Sequence, residues 1–296
     1  MKCKMVMLFS SDLMFKKVLI LIVLLSLVLP FICNFSTIDY SHVAPHFGKN
    51  KIKSTGSTSM SHILSILSDD FMSIHPEFVY EKSETGSGSA PFLVSSGEAD
   101  LGDMSRYMKD DEKTDFMKSK LIALDGIVVI LNKNNKISNL SLENLRDIFS
   151  KKVTDWSEIS DEFNGKIVSV GREEASGTRE GFENGINLEK SRYDIILPES
   201  GDIAAKVSSD EKAVGYISMA SVAGNIHAVK VNNIDCNPQN VRNGNYPLIR
   251  PFVQVYSENS NKNNYALEKW IEYLDSDRAR KLIEGEKLIN AWKKFS

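Results

Sequence analysis

Lys51-Ile52-Lys53-Ser54-Thr55-Gly56-Ser57-Thr58-Ser59 is followed by Ile63, Leu64, Leu67 and Phe71 at helical spacing. The stretch predicts a strand from Lys51 to Ser54, a turn of glycine and small hydroxyl residues, and a helix. The pattern returns at once. Phe78 to Lys82 predicts a strand, Thr85-Gly86-Ser87-Gly88-Ser89 is the turn, and Pro91 stands near the first turn of the next helix, where its missing N–H costs nothing. A third instance begins at Ile167 to Val170, a strand expected to break at Gly171. It continues through Arg172-Glu173-Glu174-Ala175-Ser176-Gly177-Thr178-Arg179 into a helix carrying Phe182 and Ile186.

Other segments fit the same alternation. Ala99 to Gly102 predicts a short strand ending in Asp103-Met104-Ser105-Arg106. Leu121 to Leu131, with Ile127-Val128-Val129-Ile130 at its centre, predicts a long buried strand. Ser141 is placed to cap a helix whose core face is Leu142, Leu145, Ile148 and Phe149. Ala213 to Ile217 is a further strand. Tyr246 to Tyr256 is a second long one, and pairing it with Leu121 to Leu131 would build a hinge. From Asn263 to Trp292 the tail predicts helix, with Ala266, Leu267, Trp270, Ile271 and Leu274 on one face. The fold class is α/β. A length of 296 residues accommodates two lobes, expected at 51–126 plus 229–296 and at 127–228.

Residues 1–33 differ in kind. Lys16 and Lys17 precede an uncharged apolar run from Val18 to Cys33, about 16 residues, short of the ~20 that span a bilayer comfortably. The run predicts a signal peptide or an N-terminal membrane anchor. Pro30, Phe31 and Ile32 before Cys33 supply neither a small-residue cleavage site nor a lipobox, so cleavage, lipidation at Cys33 and retention all stay open. Residues 34–50 are polar and aperiodic, as suits a spacer. Of three cysteines only Cys236 lies beyond the leader, which excludes an intrachain disulfide and a Cys-based zinc site there. Residues 1–33 hold four Lys/Arg and one Asp, so the remainder has 32 basic and 38 acidic residues, a formal charge near −6. That balance argues against nucleic acid as a partner. An anion would have to be held by local geometry.

The three turns supply such geometry. A helix start presents unpaired backbone N–H groups and a partial positive charge, glycine permits close approach, and Ser or Thr adds a hydroxyl donor. Each turn alone is better explained by ordinary capping. Arg172 beside the third strengthens the pattern, because a guanidinium suits a tetrahedral oxyanion. Its alternative reading is a surface ion pair with Glu173 or Glu174. Arg106 is expected at the cleft edge, and Arg179 on the following helix.

Thr55 to Ser59, Thr85 to Ala90, Ala99 to Arg106, Ser176 to Arg179 and Val214-Gly215-Tyr216-Ile217-Ser218, in this order and spacing, resemble the phosphate-specific ABC-transporter binding proteins of the PstS family, within the type II periplasmic-binding-protein superfamily. The similarity runs from Lys51 to the C-terminus. It implies two lobes joined by two hinge strands, with phosphate in the cleft between them. It also implies a ligand set of Thr58, Ser59, Ser87, Ser105, Arg172, Ser176, Gly177 and Thr178, with Ser57, Arg106, Asp103 and Glu174 as further candidates. Relatives use an aspartate, where this chain places Ser105, to accept the proton of hydrogen phosphate. Some Gram-positive-type relatives share the Ser-Arg form, and Asp103 and Glu174 are alternative acceptors here. The resemblance further implies no cofactor or metal, permease subunits as partners, a monomer, and a place on the outer face of the cytoplasmic membrane.

Enzyme signatures are missing: the sequence has no GxxxxGK[ST], GxSxG or HExxH. His42, His46, His62, His75 and His227 lack ligand spacing. A binding protein for another oxyanion, such as sulfate or molybdate, is the main alternative, followed by an exported hydrolase.

Overall fold

The computed structural model describes residues 50–261 and 264–290. The leader and nearly all of the spacer, with Cys3 and Cys33, and the tail from Ala291 lie outside them. Among the described residues no helix is long and apolar enough to cross a membrane.

The first two strand–turn–helix units form as expected. β1 (Lys51–Gly56) leads through a 3-10 turn, Thr58–Met60, into α1 (Ser61–Ile74), which buries Ile63, Leu64, Leu67 and Phe71. β2 (Val79–Glu84) precedes α2 (Ala90–Ser95), with Pro91 in its first turn. β3 (Leu101–Met104) follows, and both β2 and β3 pair with β1 in parallel. Next comes β4 (Met117–Asn132), 16 residues long and buried along most of its length.

The short β5 (Asn139–Leu140) leads to α3 (Leu142–Ser150), capped by Ser141, whose hydroxyl accepts from Asn144 N. β6 (Val168–Arg172) does not break at Gly171. Gly171 and Arg172 pair with Ile196 and Leu197 of β7 (Ile195–Leu197), so Arg172 ends the strand instead of opening the turn. α4 (Gly177–Gly185), α5 (Ser200–Ser209) and β8 (Ala213–Ser218) follow, then β9 (Ile226–Ala228), β10 (Lys230–Val231) and α6 (Pro238–Arg242).

β11 (Ile249–Ser257) is the second long strand, followed by α7 (Glu258–Asn261). The tail is not one helix. Ser276 caps a new start by accepting from Ala279 N, giving α8 (Tyr265–Leu274), α9 (Asp277–Gly285) and β12 (Ile289–Asn290), which pairs with β4.

The main sheet runs β2-β1-β3-β11-β4-β8-β6-β7. Its centre joins two halves. Met117 to Gly126 of β4 pair antiparallel with β11, as expected for a hinge, and Ile127 to Leu131 pair antiparallel with β8. The register along β11 shifts between Phe252 and Val253.

The apolar clusters divide at the same place. Ile122 and Ala123 pack with Ile52, Leu64, Phe71, Phe252 and Trp270, where Phe71 meets Trp270 edge-on at 5.3 Å. Ile127 to Leu131 pack instead with Phe149, Trp156, Phe182 and Tyr216. Val229, Val231, Val241, Tyr246 and Leu248 belong to this second cluster. Each such large side chain, fully buried, contributes roughly 1.5–3 kcal/mol, so one strand is anchored firmly in both cores.

Candidate functional site

At the end of β1, Gly56 has φ 137°, and a Cβ there would lie 2.1 Å from the carbonyl oxygen of Asp103. Only glycine allows this approach. It brings Ser57 N to within 2.8 Å of that oxygen, to which it donates. The Ser57 hydroxyl caps no helix; it donates to Ser105 Oγ at 3.1 Å. Ser87 Oγ lies 3.2 Å from Ser105 Oγ and accepts from Ser105 N at 3.0 Å. Two turns and the end of β3 thus gather three buried serines.

The other half meets them with the start of α4. A Cβ on Gly177 would lie 2.6 Å from Ser87 Oγ and 2.7 Å from Ser105 Oγ. Thr178 Oγ1 is 2.6 Å from Ser59 Oγ, which is 3.0 Å from Ser200 Oγ, and Thr58 Oγ1 reaches the same Ser200 oxygen at 3.4 Å. Gly88 N also donates across to Ala175 O at 3.0 Å. The halves are therefore closed upon each other along the hydroxyl-bearing turns.

Arg172 points into this seam and is only 2% exposed. Its Nη1 donates to Ser200 Oγ at 2.9 Å, Nη2 to Pro198 O at 2.7 Å and to Glu173 Oε1 at 2.9 Å, and Nε to Glu173 Oε2 at 3.0 Å. The ion pair with Glu173 forms as the alternative reading had it, but its arginine is buried and not on the surface. Its backbone N donates to Tyr216 Oη at 3.3 Å, and the Tyr216 ring stacks on Phe182 at 4.0 Å. The strand end is thereby fixed against the core.

Of the residues expected at the site, Ser57, Thr58, Ser59, Ser87, Ser105, Arg172, Gly177 and Thr178 come together. Ser176 stands beside them as the N-cap of α4, its hydroxyl accepting from Arg179 N at 3.3 Å. Arg179 itself lies on the helix and pairs with Glu183 at 2.8 Å. Arg106 is held by Glu112 at 2.5 Å and by Glu180 of α4 at 3.0 Å, with Lys109 also on Glu180 at 3.1 Å. Glu174 is exposed. Asp103 is buried, but its carboxylate accepts from Ser54 Oγ at 2.5 Å and Gln254 Nε2 at 2.7 Å, on the side of Tyr80 and Trp270. Burial pushes it up to about 7, against the pull of those two hydrogen bonds.

Three residues at the site escaped the sequence reading. Ser200 opens α5 and accepts from Arg172. Asp125 of β4 and Arg250 of β11 stand opposite each other across the hinge strands. Arg250 Nε donates to Asp125 Oδ2 at 2.9 Å, and Nη1 donates to Thr178 Oγ1. Ser218 Oγ and Met219 N donate to Asp125 Oδ1 at 2.8 and 3.3 Å. Both partners are desolvated: burial pushes Asp125 up, opposed by Arg250, and pushes Arg250 down, opposed by Asp125. Three donors on one carboxylate, one of them a guanidinium, favour its ionised form. The sequence did carry one signal, opposite charges inside two apolar strands.

The site offers hydroxyls from both halves, the first-turn amides of α4 and a buried guanidinium. Each of the hydroxyls Ser57, Thr58, Ser59, Ser87, Ser105, Thr178 and Ser200 contacts another hydroxyl, and Arg172 and Arg250 donate to two of them. Such a set binds an oxyanion through directed hydrogen bonds. Among the described residues no group of His, Cys, Asp and Glu could hold a metal ion.

Residues 43–278 match the model of a PBP superfamily domain. A chain described as a phosphate ABC transporter substrate-binding protein from Clostridium perfringens, solved with bound phosphate, is 31% identical. It covers 82% of this chain and 100% of its own length, with a TM-score of 0.78. An ABC-type phosphate transport receptor from Vibrio cholerae is 29% identical over 80% of this chain and 99% of its own, TM-score 0.67. The phosphate-binding protein PstS of Staphylococcus aureus is 25% identical over 256 residues, 80% of this chain and 77% of its own.

Proposed function

The chain belongs to the PBP superfamily, and within it to the PstS-type substrate-binding proteins, and on that premise we propose that it captures inorganic phosphate outside the cytoplasm for an ABC importer. The observation that carries the reading is the convergence of Ser59 and Thr178 at 2.6 Å, which brings hydroxyl turns from both halves to one place beside the Arg172 guanidinium. Phosphate enters between the parted halves and exchanges its water for the amides and hydroxyls of both. In our reading Thr58, Ser59, Ser87, Ser105, Arg172, Ser176, Gly177 and Thr178 form the ligand set, Ser57 and Ser200 support it, and closure about β4 and β11 yields the form presented to permease subunits. No bond is made or broken.

We place the first half at 51–126 with the chain from β11 onward, and the second at 127–248, since Val229 to Leu248 share its core. In the same proposal the N-terminal segment delivers a monomer to the outer membrane face.

Selectivity is the open choice. With the Asp103 carboxylate turned to Ser54 and Gln254, Ser105 is the acceptor we assign to the phosphate proton, and donors alone would also suit sulfate. Calorimetric titration of the full-length chain with phosphate, sulfate and molybdate at neutral pH tests both points. Phosphate binding with sulfate much weaker supports the assignment; equal binding supports a general oxyanion carrier; no heat with any of them removes the proposal.

A further inference from the structure

Arg250 is the second guanidinium at the hydroxyl cluster, and it comes from the hinge instead of from a lobe. Its side chain is 2% exposed and faces Asp125 directly across the β4–β11 pair. Nη2 lies 2.8 Å from Asp125 Oδ2, yet it is out of line for a hydrogen bond and has no other partner. The distance makes it an ion pair; the angle leaves this nitrogen's protons undirected. Nη1 donates to Thr178 Oγ1.

That contact has a fixed direction within the hydroxyl cluster. A guanidinium only donates, and a hydroxyl has one proton to give. Thr178 Oγ1 therefore accepts from Arg250, which commits one of its two lone pairs and leaves the other, with its own proton, for Ser59 Oγ or a bound anion. Ser200 Oγ likewise accepts from Arg172 Nη1, with its second lone pair and its proton left for Ser59, Thr58 or a bound anion. Ser59 Oγ thus lies between two hydroxyls that each accept from a buried guanidinium, so this end of the site carries the positive charge that favours an anion's deprotonated oxygens. At the other end Ser105 Oγ accepts from Ser57 and lies 3.2 Å from Ser87 Oγ, and among the described residues no guanidinium donates to either serine.

We propose that Arg250, held by Asp125, is a positioning residue for anion selectivity: through Thr178 it makes the Ser59 end of the site its charge-assisted end, so that the site favours the doubly charged form of phosphate, with its single proton at the Ser105 end. The inference rests on the phosphate reading above. It adds that the strands which carry the hinge also set the polarity of the site.

The test is calorimetry of full-length wild type, Arg250→Met, Thr178→Val and the double variant with inorganic phosphate, at about pH 6 and about pH 8, across phosphate's second ionisation. Wild type is expected to bind more tightly at the higher pH. Arg250→Met is expected to lose about 10-fold in affinity there, in line with one charge-assisted hydrogen bond, and to flatten the pH dependence. The double variant is expected to lose no more than the worse single one, since Arg250 acts through Thr178. Because Arg250→Met strands a buried Asp125, Asp125→Asn/Arg250→Met and Arg250→Lys are measured beside it, the first to retain the fold and the second to recover part of the affinity. A folded Arg250 variant with the wild-type pH profile, or additive losses in the double variant, overturns the inference while leaving phosphate binding intact. Wild type that binds no phosphate overturns both.

Discussion

Ser59 and Thr178, 119 residues apart in the chain, place their hydroxyl oxygens 2.6 Å from each other. One belongs to the first turn and the other to the helix start after Arg172, so their contact records closure of the halves. Small-angle scattering of the full-length chain should show a larger radius of gyration without phosphate and contraction on its addition. Identical profiles would remove closure from the account.

Gly177 presses the start of α4 against the serines of the other half. A methyl there would press on Ser87 Oγ at 2.6 Å and on Ser105 Oγ at 2.7 Å. Gly177→Ala is expected to hold the halves apart and weaken phosphate binding by about 100-fold, roughly the cost of overpacking a tight site, with an unchanged melting temperature for the ligand-free chain. Wild-type affinity would show that the space at Gly177 is not where the anion sits.

Removing the Arg172 guanidinium takes away the buried cation that drives Ser200. Arg172→Met should cost about 100-fold or more in phosphate affinity, in keeping with about 3 kcal/mol for a buried charge-assisted contact. The stacked Phe182–Tyr216 pair behind it makes a separate prediction. Phe182→Ala should destabilise the fold by about 3–5 kcal/mol, read by urea unfolding.

Asp103 predicts a pH dependence of stability. Its folded value is raised to about 7 from 3.8 by burial, so between these values the native state holds a proton that the unfolded chain has released. Its contribution is complete below the unfolded value and is lost as pH rises through the folded one, with a slope approaching about 1.4 kcal/mol per pH unit in that window. Unfolding measured across the window should show this decline in wild type, and Asp103→Asn should remove it. An unchanged slope in the variant would assign the effect to another group.

The parts of this protein written locally were legible in its sequence. The hydroxyl–glycine turns, the α1 face of Ile63, Leu64, Leu67 and Phe71, and the Ser141 cap all depend on neighbours a few residues away. What required the fold was assembled across distance. Asp125 and Arg250 meet only because β4 and β11 pair in one register. Ser200 is an unremarked helix start until β7 pairs with the end of β6 and brings it to Arg172. The continuous tail helix was a misreading of another sort: its apolar period persists through Ala279 and Ile283, but Ser276 restarts the hydrogen-bond ladder. Asp103 shows the limit of reasoning from position, since a carboxylate two residues from Ser105 faces Gln254 instead of the hydroxyls.

Because β4 donates side chains to both apolar clusters without interruption, neither half is a module that could be excised. A chain cut between Gly126 and Ile127 would leave each fragment with an unzipped sheet edge, and recombining the two would amount to strand complementation. Thermal denaturation of the intact protein should accordingly be a single cooperative event, the two halves melting as one body.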